Sequence, residues 1–195
     1  MSQPYPSYKD SGSPWAGSIP AHWSMVPIKH IAEISSGSTP SKSNPEYWDG
    51  EIPWASARDL RQPVLMDTTY SITTAALQDG AAAVVPTGSV IVLVRGMTLA
   101  HSFPVCVTGK PMAVNQDLKA LIARETIEGS YLAWLLRGSS VESLSWVDAA
   151  GHGTKVLRMD VWTTIALPIP PVSEQRAIAA FLDRETGKID ALVEE

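Results

Sequence analysis

Chemistry leaves residue types at recognisable spacings, and this 195-residue chain has several stretches to weigh. "NPEY", Asn44 to Tyr47, is one proline short of the Asn-Pro-Pro-Tyr motif of adenine methyltransferases. Glu46 replaces the second proline, and no glycine-rich nucleotide fingerprint follows a strand anywhere, so the tetrapeptide reads as turn chemistry. "GHGTKV" opens like a dinucleotide loop, but it lacks the third glycine and precedes a helix instead of sitting inside a βαβ unit. His22, His30, His101 and His152 are scattered, none with a second ligand at metal spacing. Cys106 lies in an apolar strand, where a buried inert thiol is expected. Asp117 and Lys119 match the end of a nuclease carboxylate-x-lysine motif without the Pro-Asp pair that completes it, and a solvated strand face is the plainer reading. Neither a catalytic constellation nor a metal site is supported.

Composition bounds what surrounds these residues. With 45% apolar residues and seven Trp there is ample material for one folded domain, or a domain plus an appendage. The opening "MSQPYPSYKDSGSP" is polar and rich in Pro and Ser, unlike a secretory leader, and the single Cys106 cannot form an internal disulfide. A reducing cytoplasm is the expected compartment. The most apolar stretch, Ala81 to Val94, is broken by Pro86 and Gly88 and falls short of the roughly 20 residues a membrane helix needs. Charge is uneven: six acids and three bases lie from Ser173 onward, leaving 14 acids against 12 bases before it. The body is close to neutral.

The elements that must position any site can be read next. Pro4, Pro6, Pro14 and Pro20 make residues 1–22 an extended arm, with order beginning near Trp23. "VPIKHIAEI" mixes a short strand and a helical turn. "SSGSTPSKSNPEYWDG" is a 16-residue run of turn formers, long enough to be a functional loop. "EIPWASA" reads as a strand and "SITTAALQDGA" as a short helix capped by Ser71 or Thr73. "GSVIVLVRG", a continuous apolar run between glycines, has the pattern of a buried strand, and "FPVCVTG" and "DLKALIA" are two more. Helical spacing then takes over at Tyr131, Leu132, Leu135 and Leu136, and again at Val141, Leu144 and Val147. "RMDVWTTIALPIPP" is a helical turn leading to a strand. Strands in mixed order with helices at one end predict an α+β fold, a twisted mixed or antiparallel sheet with short helices.

The last stretch, "LPIPPVSEQRAIAAFLDRETGKIDALVEE", is a proline-stiffened strap followed by an amphipathic helix with Ser173 as its expected N-cap. Ile178, Leu182, Ile189 and Leu192 form a heptad seam interrupted only by Glu185. Such a face is covered by its own domain or by a partner helix, and a helix still running at the last residue favours a longer coiled coil. This motif, with Pro170, Pro171, Glu174, Gln175, Arg176 and Ile178, resembles the end of a target-recognition domain and the start of the conserved spacer helix in specificity subunits of Type I restriction-modification systems. The opening through "ARDL" resembles such subunits too, as do "VPTGSVIVLVRG", "AVNQDLKAL" and "GTKVLRMDVWTTIALPIPP". The resemblance implies an arm over 1–22, a target-recognition domain over 23–172 and the start of a coiled-coil spacer over 173–195. A full subunit of that family resembles two such domains joined by two helices, so the chain is expected to be a fragment or half-subunit.

The resemblance implies a non-catalytic role in reading one half of a bipartite duplex DNA site. Such reading needs cations and hydroxyls for phosphates, and forked or amide side chains for base edges. Ser38, Thr39, Ser41 and Lys42, with Ser43, form a hydroxyl-rich loop suited to phosphate oxygens. Arg58 and Arg61 flank a strand end, Arg95 leaves a buried strand at a glycine, and His152, Lys155 and Arg158 cluster around "GHGTK". For each arginine the alternative is a surface salt bridge, most pointedly for Arg58 beside Asp59. Asn115 and Gln116 read as a turn before they read as adenine contacts, and Trp48, Trp54 and Trp162 as core before stacking platforms. The implied partners are duplex DNA, methyltransferase subunits, restriction-translocase subunits, and a second copy of the helix in antiparallel pairing. S-adenosylmethionine, ATP and magnesium would belong to those other subunits. A protein-interaction adaptor without DNA contact, or part of a self-contained methyltransferase or nuclease, is the competing reading.

Overall fold

In the computed structural model, which describes residues 5–150 and 153–193, the apolar run between glycines is a strand with every side chain buried. It is one of fifteen strands among those residues. In chain order they begin β1 (Tyr8–Asp10), β2 (Ser18–Pro20), β3 (Ser24–Pro27), β4 (Ala32–Ser36), β5 (Trp48–Ala55), β6 (Val64–Leu65), β7 (Tyr70–Ile72) and β8 (Val84–Val85). They continue as β9 (Val90–Leu93), β10 (Val105–Thr108), β11 (Met112–Val114), β12 (Leu118–Ala123), β13 (Val147–Ala149), β14 (Lys155–Leu157) and β15 (Ala166–Ile169). The helices are α1 (Ile28–Ile31), α2 (Thr74–Gln78), α3 (Gly129–Gly138), α4 (Ser140–Ser145), α5 (Met159–Trp162) and α6 (Val172–Val193).

Two sheets carry the fold, in the orders β4-β12-β9-β10-β6 and β7-β5-β11-β8. Each mixes antiparallel ladders with one parallel pair, β10 with β6 and β11 with β5. The α+β expectation is therefore met. β9 sits at the centre of the larger sheet, and α3 packs against it, which is why the strand shows no alternation. Leu132, Ala133 and Leu136 of α3 join β9 in the main core. A smaller core of Trp54, Ile72, Ala76, Ala82 and Ala113 lies under the second sheet. Trp162 is fully buried, and its indole N–H is satisfied by Ser143 Oγ at 2.9 Å.

Several local expectations are revised. The arm over 1–22 contains a hairpin, since β1 pairs antiparallel with β2, and Ile19 is buried. The 16-residue loop shrinks to residues 37–44, because Ser35 and Ser36 belong to β4 and Pro45–Tyr47 forms a 3-10 turn. Val147 belongs to β13, paired with β14, so the second helix stops at Ser145. Helix α6 starts at Val172 instead of after Ser173: Pro171 O accepts from the backbone N–H of Glu174 at 2.9 Å and of Gln175 at 3.0 Å.

Candidate functional site

A solvent-facing cleft of about 580 Å3 opens between the 37–44 loop, β5, Tyr70 and the turn joining β11 to β12. The loop is built to run close to β11. Ser38 N–H donates to Val114 O at 3.0 Å, and a Cβ on Gly37 would stand 2.0 Å from that carbonyl, so only glycine fits. Two indoles hold the loop from beneath: Trp54 Nε1 donates to Ser38 O at 2.9 Å and Trp48 Nε1 to Ser41 O at 3.1 Å. Trp54 is core, as expected, while half-buried Trp48 meets it edge-on and lines the cleft. The loop hydroxyls are largely occupied at home. Ser38 Oγ donates to Ala81 O at 2.8 Å, Thr39 to the Gln116 side-chain oxygen, and Ser41 pairs with Ser43. Lys42 is exposed on the cleft rim.

Arg58 lies on the same rim, and the alternative of a salt bridge to Asp59 does not form. The 3-10 turn Ala57–Asp59 aims Asp59 elsewhere: Oδ2 accepts from Ser56 N–H and Oγ, both at 2.9 Å. Oδ1 accepts from Thr69 N–H at 2.9 Å and Thr69 Oγ1 at 2.6 Å. Burial pushes the Asp59 carboxyl up, but these four bonds outweigh it and leave it below the ordinary carboxylate value. Arg58 instead lies over the Tyr70 ring, 5.2 Å from its centroid, with Nη1 3.4 Å from the phenol oxygen. Arg61 is exposed in a second depression beside Asp67 and Thr68, which Arg58 also lines.

The remaining cations divide. Backbone N–H groups of Val94 and Arg95 donate to Asp117 O at 2.8 and 3.3 Å, placing Arg95 against the turn that lines the cleft. Gly96 N–H donates to Lys155 O at 2.9 Å, which brings Lys155 alongside. Arg158 is spent on ion pairs with Asp160 at 2.9 Å and Asp148 at 3.7 Å, so the salt-bridge alternative holds there. His152 lies outside the described residues. Asn115 is buried and accepts from Asp117 N–H at 3.1 Å, a turn role, whereas Gln116 is exposed on the cleft. Lys42, Arg58, Arg61, Arg95 and Lys155 make no ion pair among the described residues. Sequence reasoning missed Tyr70 and the bonds of Asp59, since nothing in local spacing joins residues ten or twelve apart across a loop.

A second arrangement fixes the outgoing helix. Glu174 accepts from Tyr5 Oη at 3.2 Å and Trp23 Nε1 at 3.0 Å, and bonds His22 Nε2 at 2.7 Å. Gln175, fully buried, accepts from Glu128 N–H at 2.9 Å and donates to Thr126 O at 3.0 Å and Pro170 O at 2.9 Å. Arg176 pairs with Glu128 at 2.6 Å. The seam then splits. Ile178 and Leu182 line a groove with Trp15, Trp23, Tyr131 and Leu135 of the same chain, while Ile189 is 59% exposed and Leu192 73%. Glu185 is held within the helix by Arg184 and Lys188.

Among the described residues no group of three or more His, Cys, Asp or Glu could hold a metal, and no helix is long and apolar enough to cross a membrane. Cys106 is buried, and desolvation pushes its thiol up to about 11. The fold and site thus define a mixed α+β domain with a cation-rimmed, aromatic-walled cleft and a helix leaving in a fixed direction. The chain belongs to the Type I restriction modification DNA specificity domain family, whose model matches residues 20–193. The Type I restriction enzyme MjaIX specificity subunit of Methanocaldococcus jannaschii is 27% identical over 169 residues, covering 85% of this chain and 38% of that protein. The Escherichia coli EcoR124I/EcoR124II specificity subunit is 28% identical over 163 residues, covering 82% and 40%. The chain therefore spans about two fifths of the length of these relatives. The solved HsdS subunit from Thermoanaerobacter tengcongensis superposes with a TM-score of 0.68 at 20% identity, over 96% of this chain and 42% of that one.

Proposed function

We propose that this chain is a non-catalytic recognition module that binds duplex DNA sequence-specifically, reading one half of a bipartite site within a Type I restriction-modification complex. The observation that carries this reading is a set of cations that make no ion pair among the described residues, Lys42 and Arg58 at the cleft and Arg95 and Lys155 by the adjoining turn, in a family member. Cations without carboxylate partners are suited to phosphates and base edges, and in the cleft lining Lys42 and Arg58 offset Asp49 and Asp117, so the near-neutral balance of the body holds there too. Helix α6 would act as the spacer, its 22 residues spanning roughly 33 Å at 1.5 Å per residue. Methyltransferase subunits carrying S-adenosylmethionine, and restriction subunits using ATP and magnesium, would supply the chemistry in the cytoplasm.

The test is selection from a randomised duplex library by the chain with its methyltransferase partner, across a salt series, followed by sequencing of the retained DNA. Enrichment of a short motif, with affinity falling log-linearly in salt, is expected. Salt-independent retention without enrichment would overturn the proposal in favour of a protein-interaction adaptor.

A further inference from the structure

Among the rim cations, one is presented differently from the others. Arg58 places its guanidinium over an aromatic ring, 5.2 Å from the centroid, and that ring is itself braced: Tyr70 meets Trp48 at 6.3 Å and 76° and Trp54 at 6.4 Å and 64°. Trp54 is core, so the chain of rings ties the guanidinium to the folded interior. The neighbouring carboxylate, which would ordinarily neutralise an adjacent arginine, has both oxygens filled by Ser56 and Thr69. Asp59 thereby performs two tasks. It clamps the 3-10 turn bearing Arg58 to the loop that leads into Tyr70, and it leaves the guanidinium without a counter-ion.

We propose that Arg58 is the guanine-reading side chain of this module, with Tyr70 and Asp59 as positioning residues that present its fork before DNA arrives. This rests on the DNA-binding reading above and adds to it a residue, a base and a device. An arginine fork matches the O6 and N7 acceptors of guanine in the major groove, and a guanidinium already ordered on a ring loses less freedom on binding than a free one. The other cations lack this geometry. Lys42 is a flexible point charge, Arg158 is neutralised by Asp160 and Asp148, and the remaining arginines that lie over rings, Arg137 and Arg184, are on α3 and α6.

The experiment uses the complete recognition complex in the library selection, with salt-dependent affinity measured on the selected site and on its single-base variants. Arg58→Lys keeps the charge and loses the fork. It should leave the salt slope unchanged and reduce discrimination at one G·C pair by roughly 5- to 150-fold. Tyr70→Leu and Asp59→Asn should reduce discrimination at that same pair and no other, whereas Tyr70→Phe, which keeps the platform, should retain most of it. Lys42→Ala should do the reverse, lowering the salt slope by about one unit with every base preference intact. A wild-type complex that selects a motif while Arg58→Lys preserves preference at every position would overturn this assignment and leave the DNA-binding reading standing. A wild-type complex that selects nothing would overturn that reading, and this assignment with it. Loss of preference at all positions together in Tyr70→Leu and Tyr70→Phe would mark a structural role and refute the positioning claim.

Discussion

Replacing Gln175 should loosen the outgoing helix more than its single uncharged side chain suggests. The side chain is fully buried and makes three hydrogen bonds, to Glu128 N–H, Thr126 O and Pro170 O. Gln175→Ala strands the Pro170 carbonyl in a buried setting and the Glu128 N–H and Thr126 carbonyl in partly buried ones. An unsatisfied buried group costs about 1–3 kcal/mol, and a carbonyl with a second lone pair sits at the lower end. Water entering the space left by the amide recovers part of that, so the net loss should be about 3 kcal/mol. For a chain of this length that corresponds to a fall in Tm of about 6–12 °C. The Gln175→Glu variant sharpens the test. It can still accept from Glu128 N–H, but as a carboxylate it faces the Thr126 and Pro170 oxygens with no donor. Its folded-state pKa should therefore rise above the ordinary glutamate value, so its stability deficit should grow as pH rises through that raised value. Thermal and urea unfolding between pH 5 and 8 would measure both effects. A Gln175→Ala chain within 1 kcal/mol of wild type, or a Gln175→Glu chain with no pH dependence beyond wild type, would refute the keystone role.

Three further outcomes are expected. Burial pushes the Glu174 carboxyl up, but hydrogen bonds from His22, Trp23 and Tyr5 outweigh it and hold the group below its ordinary 4.5, so its contribution is full above that value and is lost as pH falls through the depressed one. Trp23 emission should report release of the N-terminal segment in that acid window, and Glu174→Gln should abolish the step. Cys106, buried and with its thiol pushed up to about 11, should resist iodoacetamide at pH 8 in the folded chain and react fully in urea; labelling of the native chain would contradict its placement. Ile189→Asp with Leu192→Asp should block self-association or spacer pairing in sedimentation without lowering Tm, because both side chains are solvent-facing, while Leu182→Asp should lower Tm by itself.

Much of the scaffold was legible because hydrophobic pattern is local. Val90–Leu93, Leu118–Ala123 and the α3 stripe each announce themselves within ten residues. Met112–Val114 does not, since three buried residues between turns carry no period, yet this strand joins the second sheet and sets the floor on which the cleft loop lies. The seam shows the same limit. Its spacing identifies which face of α6 is apolar but not what covers it, and the domain itself takes Ile178 and Leu182 while leaving Ile189 and Leu192 uncovered.

Polar residues are harder to assign because their role is set by where their bonds end. Asp59 looks like the partner of Arg58 next to it, yet its oxygens bind Thr69 ten residues on. Glu174 and Gln175 carry no role that their neighbours in sequence reveal, for their bonds run to Trp23, 151 residues back, and Glu128, 47 residues back. Arg158 looks like a ligand cation and is consumed by two aspartates. The conspicuous polar residues thus orient the scaffold, and the side chains open to a ligand are those whose charge finds no partner among the described residues. Lys42 and Arg58 qualify on that ground, and under the proposal above it is the aromatic ring beneath Arg58 that would separate a reader of bases from a holder of phosphates.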